Sequence, residues 1–345
     1  MRAIAVIKPN QVEIVDLPMP KPGPYQALVR TEVAVLCNAT DGKLVSGHFP
    51  GVDKYPLVLG HESAGFVQTL GKKVRNFKVG DCAIGGLVFD FGDPEYAAGW
   101  GGFCEYTLVN DHDAMVKDGV ADAAHGWFEC YEIQRCVDRD IPVEAAALLC
   151  TWREVFGGFG DFNLKKGDDL LIFGAGPVGL SFTKFAKLLG LGFVGVVDPV
   201  AHKRKRALKL GADDVFTPDS PKLKSLTKRR GKPLDAVVDA VGSGAIVNAA
   251  LPLIKMGGTI GVYGVIADGS ITVEKRKGPF NFNLNIHQWP TRFREHAAQK
   301  PLCKWIREGQ LKASDFITHE FPMEQIKDAL EIVKAGQAIK VLLRY

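Results

Sequence analysis

The chain has 345 residues, of which 46% are hydrophobic and 24% charged, with a formal net charge of +4. That length and balance imply two globular domains with sizeable cores. They exclude a nucleic-acid surface, because the basic runs Lys203–Arg206 and Lys228–Arg230 are short and carry no interleaved aromatics. No apolar run approaches the roughly 18 residues of a membrane span. The start, MRAIAVIKPN, lacks the apolar core of a secretory leader, and the seven cysteines show no disulfide spacing. The expectation is a cytoplasmic protein in a reducing compartment.

The first third reads as β-rich. Arg2–Ile7, Val12–Asp16 and Gln26–Val35 have strand character, with Pro18, Pro20, Pro22, Gly23 and Pro24 as loop punctuation. Further extended stretches are expected over Pro56–Gln68, Cys82–Val88 and Phe103–Val109. Many short strands with turn signals suggest a small barrel or sandwich. Two groups here carry metal chemistry: Cys37-Asn-Ala-Thr40-Asp41 and Gly60-His61-Glu62. A third candidate is Cys150, in Glu144-Ala-Ala-Ala-Leu-Leu-Cys150. Two thiolates and an imidazole suit Zn²⁺, and three protein ligands leave a fourth position open for water or substrate. Each group alone also reads as core packing, since free cysteine is commonly buried as a small hydrophobe. Asp118–Asp140 holds Cys130 and Cys136 among aromatics; a substrate-pocket or subunit-contact insert fits it better than a second metal site.

Leu170 to Asp198 organises the second half. The apolar run Leu170–Phe173 leads into Gly174-Ala-Gly176-Pro177-Val178-Gly179, then a helix-compatible stretch, then Phe193–Val197 ending in Asp198. Gly174 permits a tight turn, Gly176 lets the backbone approach a pyrophosphate, and Gly179 allows helix and strand to pack closely. The helix N-terminus offers N–H groups to phosphate. Asp198 stands where a carboxylate accepts hydrogen bonds from an adenosine ribose, which points to NAD; the basic run at Lys203–Arg206 leaves NADP as the alternative. Helix over Ala201–Leu210, strand over Asp235–Val241, helix over Ala245–Lys255 and strand over Thr259–Val265 continue a doubly wound parallel sheet. Gly278–Arg294 breaks the pattern, and His287, Trp289 and Arg292 are candidate pocket residues. Phe316–Tyr345 reads as strand, helix over Met323–Lys334, strand.

The chain resembles the zinc-dependent medium-chain dehydrogenases/reductases, and among them the sorbitol and polyol dehydrogenases. The resemblance rests on Cys-x-x-Thr-Asp at 37–41, Tyr55-Pro-Leu-Val-Leu-Gly-His-Glu62, Lys78-Val-Gly-Asp81 and the fingerprint at 174–179. Lys209-Leu-Gly-Ala-Asp213, Leu234–Gly242, Gly257–Gly264 and Ala338-Ile-Lys340-Val extend it. It implies an α/β chain. A GroES-like catalytic domain would take 1–151, a Rossmann NAD-binding domain 152–284, and a return segment, 285–345, would complete the first domain.

The resemblance also implies roles. Cys37, His61 and Cys150 match the ligands of one catalytic zinc, and Glu62 an adjacent or exchanging carboxylate. Asp41 matches the carboxylate that orients the ligand histidine, and Thr40 the hydroxyl that meets the substrate oxygen. Gly174, Gly176, Pro177, Val178, Gly179, Asp198, Lys203, Val241, Gly242, Tyr263 and Val265 match cofactor contacts. This chain has one extra residue between Cys37 and Asp41. It has Lys43 where the family often has a relay histidine, so the relay ends in solvent or at His48. It lacks the four-cysteine structural zinc lobe between Gly86 and Gly102. The implied activity is hydride transfer between a polyol, sugar or other secondary alcohol and NAD, in a homodimer or homotetramer. Thr259–Val265 is the strand expected at the subunit edge. The alternatives are a zinc-free reductase of enones or quinones in the same superfamily, and a non-enzymatic nucleotide-binding protein.

Overall fold

The computed structural model describes residues 1–266, 270–289 and 291–345. The chain divides into two compact units, Met1–Thr151 with Gln299–Tyr345, and Trp152–Ala298.

The first unit begins with β1 (Arg2–Lys8), β2 (Gln11–Asp16) and β3 (Gln26–Val35), followed by α1 (Thr40–Ser46), β4 (Leu57–Val58) and β5 (Ser63–Leu70). Then come β6 (Cys82–Ile84), β7 (Ala97–Ala98), β8 (Tyr106–Asn110), α2 (His112–Lys117), β9 (Arg135–Val137) and α3 (Val143–Asp161), in which the division between the units falls. Side chains of a strand alternate between faces, and β1 uses both. Ile4 and Val6 enter a core with Leu57, Leu59 and Phe103, while Ala3 and Ala5 enter another with Val58, Val88 and Phe91. The strand expected over Cys82–Val88 stops at Ile84, because Gly85 turns the chain with a φ of 71°. The stretch 118–140 forms short 3-10 turns at Ala123–His125 and Glu129–Ile133 and then β9, antiparallel to β6. Cys130 is buried there with Leu87, Met115 and Tyr131.

The second unit is built on β10 (Leu170–Phe173), α4 (Pro177–Leu188), β11 (Val194–Val197), α5 (Ala201–Lys209), β12 (Asp214–Phe216), α6 (Pro221–Lys224) and α7 (Leu226–Arg230). It continues with β13 (Leu234–Asp239), α8 (Gly244–Ala250), β14 (Ile254–Val262) and β15 (Asn283–Ile286). The strands form one parallel sheet in the order β12-β11-β10-β13-β14-β15. Phe173 lies between Val197 and Asp239, so Gly174, Asp198 and Ala240 leave the sheet side by side at its carboxyl edge. That is where open parallel sheets bind ligands.

Three expectations are corrected here. Within the stretch 278–294, Asn283–Ile286 joins this sheet: β15 pairs in parallel with Thr259–Val262. Its alternating Asn283-Leu-Asn-Ile hides it from a search for apolar runs. The compact unit that holds this sheet runs to Ala298. The helix expected to Lys255 ends at Ala250, and Ile254 already opens β14. The strand β14 lies inside the sheet, and β15 takes its edge.

The chain then passes through α9 (Arg292–Arg307), β16 (Ile317–Pro322), α10 (Ile326–Lys334) and β17 (Lys340–Arg344). The last strand pairs antiparallel with β3, Leu342 opposite Val35, and parallel with β16. The first unit's larger sheet thus runs β16-β17-β3-β5-β6-β9, with β8 also on β3. This topology sets Lys340 beside the chain leaving β3 and entering β5, where Cys37, His61 and Glu62 lie.

Candidate metal and cofactor sites

Cys37 follows β3, and His61-Glu62 immediately precedes β5. These two strands are neighbours, with Ala34 opposite Ser63. The Cys37, His61 and Glu62 ligand atoms consequently lie within 4.8 Å of one another. Asp41 explains the local chain path. Its Oδ2 accepts the Cys37 N–H at 2.8 Å, while its own N–H donates to the Cys37 carbonyl at 3.0 Å. The extra residue between Cys37 and Asp41 is absorbed in this turn, and Thr40 opens α1.

Asp41 Oδ1 faces His61 Nδ1 at 3.9 Å, and neither buried atom has a hydrogen-bond partner. A carboxylate behind one imidazole nitrogen fixes the tautomer and leaves the other nitrogen free to ligate a metal. Burial pushes the Asp41 carboxyl up to about 7, against the pull of His61. One sulfur, one imidazole with a carboxylate behind it, and an adjoining carboxylate fit a zinc ion in donor type.

Glu62 is held by groups outside the two motifs. Lys340 Nζ donates to both of its oxygens, at 2.7 and 2.6 Å, and to the Leu36 carbonyl at 3.3 Å. The Thr151 hydroxyl donates to Glu62 Oε2 at 2.7 Å. Burial raises the Glu62 pKa, but the Lys340 ammonium outweighs it, and the net direction is down. Burial lowers Lys340, and Glu62 more than restores it. Cys150 is buried on α3. It lies outside the 4.8 Å group, although its neighbour Thr151 touches Glu62. Lys340, Thr151 and Trp100, whose ring lies 6.4 Å from that of His61, had no role in the sequence reading. A lysine inside the apolar run Ile339–Leu343 was the available signal for the first.

In the second unit the fingerprint glycines sit at the first strand-to-helix turn. Gly174 has a φ of 98°, and a Cβ on Gly179 would stand 1.8 Å from the Gly174 carbonyl oxygen. A Cβ on Gly176 would meet nothing within 4 Å, as expected where a ligand approaches the backbone. Gly176 precedes α4, whose N-terminus has Pro177 and no side-chain cap; Val178 lies in its first turn. Asp198 is buried: its Oδ2 accepts the Ala175 N–H at 2.7 Å and its Oδ1 the Val200 N–H at 2.8 Å. The carboxylate therefore ties the glycine turn to the end of β11. Arg204 donates to the Asp198 and Pro199 carbonyls at 2.7 and 2.8 Å. Lys203 lies beside it on α5.

Val241 is exposed, and Gly242 presses against Gly264 and Val265. Asp239 sets this loop by accepting the N–H groups of Val241, Gly242 and Ser243 at 2.8 to 2.9 Å; the sequence reading gave it no role. The Tyr263 side chain is interior, edge-on to Phe182 at 5.5 Å. That packing leaves its main chain, rather than its ring, beside the loop. His287 faces the Phe162 ring edge-on, and Arg292 pairs with Glu295 and stacks on the exposed Trp289.

This combination of fold and donor set is that of a nicotinamide- and zinc-dependent oxidoreductase. Residues 23–119 match the alcohol dehydrogenase GroES-like domain, and residues 177–287 the zinc-binding dehydrogenase family. The chain belongs to the zinc-type medium-chain dehydrogenases/reductases. It is 27% identical to a sorbitol dehydrogenase of Bombyx mori, over 97% of this chain and 95% of the relative. An NADP-dependent isopropanol dehydrogenase of Entamoeba histolytica is 29% identical, over 100% of this chain and 96% of the relative. The crystal structure of an Escherichia coli CFT073 alcohol dehydrogenase complexed with NADH superposes with a TM-score of 0.81 at 22% identity, covering 100% and 99% of the two chains.

Proposed function

We propose that this chain is a zinc-dependent dehydrogenase that moves a hydride between a secondary alcohol, sugar or polyol and NAD. The observation that carries it is the grouping of Cys37, His61 and Glu62 within 4.8 Å, with Asp41 behind the imidazole. Cys37 and His61 would hold the zinc. Cys150 would supply a third ligand, with Glu62 as the exchanging carboxylate. When bound, the metal supplies Lewis acidity toward a substrate oxygen, and the nicotinamide supplies a two-electron hydride acceptor. The chain's own residues do the rest. Thr40 takes the alcohol proton and passes it toward solvent. Asp41 keeps the His61 proton on Nδ1. Lys340 and Thr151 hold the Glu62 carboxylate in place.

For the cofactor, Gly174, Gly176 and Gly179 with Pro177 and Val178 would hold the pyrophosphate at the α4 N-terminus, and Val241, Gly242 and Val265 would hold the nicotinamide. Asp198 and Lys203 serve the adenosine ribose. Arg204 is spent on main-chain carbonyls, so the anionic Asp198 sets the preference for NAD. The edge strand β15, with Ile286 half exposed and Phe280 just before it exposed, is the surface for a second copy in a homodimer or homotetramer. Seven free cysteines support a reducing, cytoplasmic setting. Among the described residues no helix is long and apolar enough to cross a membrane.

The test is NAD and NADP reduction over a panel of secondary alcohols and polyols. The expected result is turnover with NAD preferred at least about tenfold, a difference of about 1.4 kcal/mol, and lost in Cys37→Ala. Turnover of enones without zinc would favour the reductase reading instead.

A further inference from the structure

Trp100 has a φ of 75°, in the left-handed region. A bulky L-residue is rare there, and such a conformation persists only where its surroundings impose it, most often at functional sites. The imposing contacts are visible. The Gly99 and Gly102 N–H groups donate to the Val58 and Gly60 carbonyls at 2.7 Å each, and the Phe103 N–H donates to Leu59 at 2.8 Å. A Cβ on Gly101 would stand 2.1 Å from the Val88 carbonyl oxygen. The segment on both sides of Trp100 is thus laced to the strand that leads into His61.

The ring this strain places is partly buried and lies beside the candidate metal ligand. Its centroid is 6.4 Å from that of His61, at an interplanar angle of 59°. Trp100 also joins two cores. It packs against the central core of the first unit, which holds Leu44 and Phe103. It also packs, as Trp127 does, against the cluster of Leu87, Met115, Cys130 and Tyr131. Trp127 and Tyr131 come from the 118–140 insert, and Met115 from α2 just before it. The insert therefore braces Trp100 where it stands next to His61.

We infer that Trp100, braced by the insert, is the apolar wall of the substrate site and selects secondary alcohols bearing an aryl or bulky alkyl group over polyols. The inference rests on the dehydrogenase reading above. Indole presents a broad apolar face with a single N–H donor and no acceptor. An aryl or alkyl substituent laid on it gains contact area and a preferred ring geometry. The hydroxyls of a polyol chain would lose water there without replacement partners, which is unfavourable.

The test compares wild type, Trp100→Gly and Trp100→Phe, each loaded with zinc, on 1-phenylethanol and on xylitol with NAD. Glycine adopts the required φ without strain, so Trp100→Gly removes the ring while leaving the backbone its conformation. Thermal midpoint and zinc content are measured alongside. We expect 1-phenylethanol to be the better wild-type substrate. Trp100→Gly should lower its kcat/KM by about 30-fold, within the range for losing a few apolar contacts and mostly through KM. Xylitol should change by less than about threefold, a few tenths of that free-energy difference. Trp100→Phe should restore most of the loss.

A second readout needs no turnover: acetophenone should quench tryptophan emission in the wild type and lose that effect in Trp100→Phe. Equal losses on both substrates together with loss of zinc would show a purely structural role and overturn the inference. A wild type that prefers xylitol would also overturn it. A fully zinc-loaded wild type that turns over neither alcohol while acetophenone still quenches would overturn the dehydrogenase reading and uphold the aryl contact at Trp100.

Discussion

Replacing Lys340 with methionine isolates the buried pair that anchors the candidate metal site. The Glu62 and Lys340 side chains are 3% and 2% exposed. Methionine keeps most of the packing volume but strands a carboxylate that had two ammonium contacts, at 2.6 and 2.7 Å. The Thr151 hydroxyl at 2.7 Å and the His61 ring at 3.7 Å remain beside it, and neither replaces the ammonium. Removing one member of a buried pair costs about 3–5 kcal/mol. An independent bound follows from the escape open to Glu62, which is to take up a proton. Its ordinary pKa is 4.5, so neutralising it at pH 7 costs roughly 2.5 pH units at about 1.4 kcal/mol each, or about 3.5 kcal/mol.

The two estimates agree, and the second carries a pH signature. In the variant the folded-state pKa of Glu62 is raised above its unfolded value. The folded state then keeps its full stability below pH 4.5 and loses about 1.4 kcal/mol per pH unit as pH rises above that value. Urea unfolding midpoints of wild type and Lys340→Met, taken from pH 5 to pH 8, measure this directly. Glu62→Gln combined with Lys340→Met should recover much of the loss and flatten the pH dependence. A Lys340→Met cost below about 0.5 kcal/mol, the range of ordinary surface substitutions, or one that does not vary with pH, would refute the argument.

Gly179→Ala drives a Cβ to 1.8 Å from the Gly174 carbonyl oxygen, a backbone atom with little freedom to move. It should cost about 1–3 kcal/mol of stability and weaken NADH binding, measured by fluorescence titration. Asp198→Asn lightens the charge that ties Ala175 and Val200 to β11. The ratio of NAD to NADP kcat/KM should fall by about tenfold, on the order of 1.4 kcal/mol for one charge-assisted contact. For Asp169, burial raises the carboxyl, but Lys232, the Phe193 N–H and Arg230 outweigh it and hold the group below its ordinary 3.8. A depressed pKa contributes stability that is present above pH 3.8 and lost as pH falls through the folded-state value. The stability gap between wild type and Asp169→Asn should therefore be constant near neutrality and close in acid, as followed by circular dichroism.

What the sequence disclosed depended on whether a signal was local. The glycine turn, its flanking strands and Asp198 are contiguous, and each carries its own physical signature. Cys37 and His61 were legible as metal-ligand residue types, and the pairing of β3 with β5 brings them together. Lys340 lies 278 residues from Glu62 and looks like one lysine among many until β17 closes the sheet. The edge strand β15 was missed because alternating asparagines masked it. Trp100 was invisible for a different reason: its meaning comes from a backbone angle and from the insert folded against it, and neither is a property of residue type.

The most direct test of the account is the zinc content per chain of freshly purified protein, beside Cys37→Ala and Cys150→Ala, by elemental analysis. Close to one zinc is expected in the wild type, with its loss in Cys37→Ala while the fold is retained. Loss in Cys150→Ala as well would establish the third ligand on α3, whereas retention there would assign that position to Glu62. A wild type without zinc, or a Cys37→Ala protein that keeps it, would contradict the central claim.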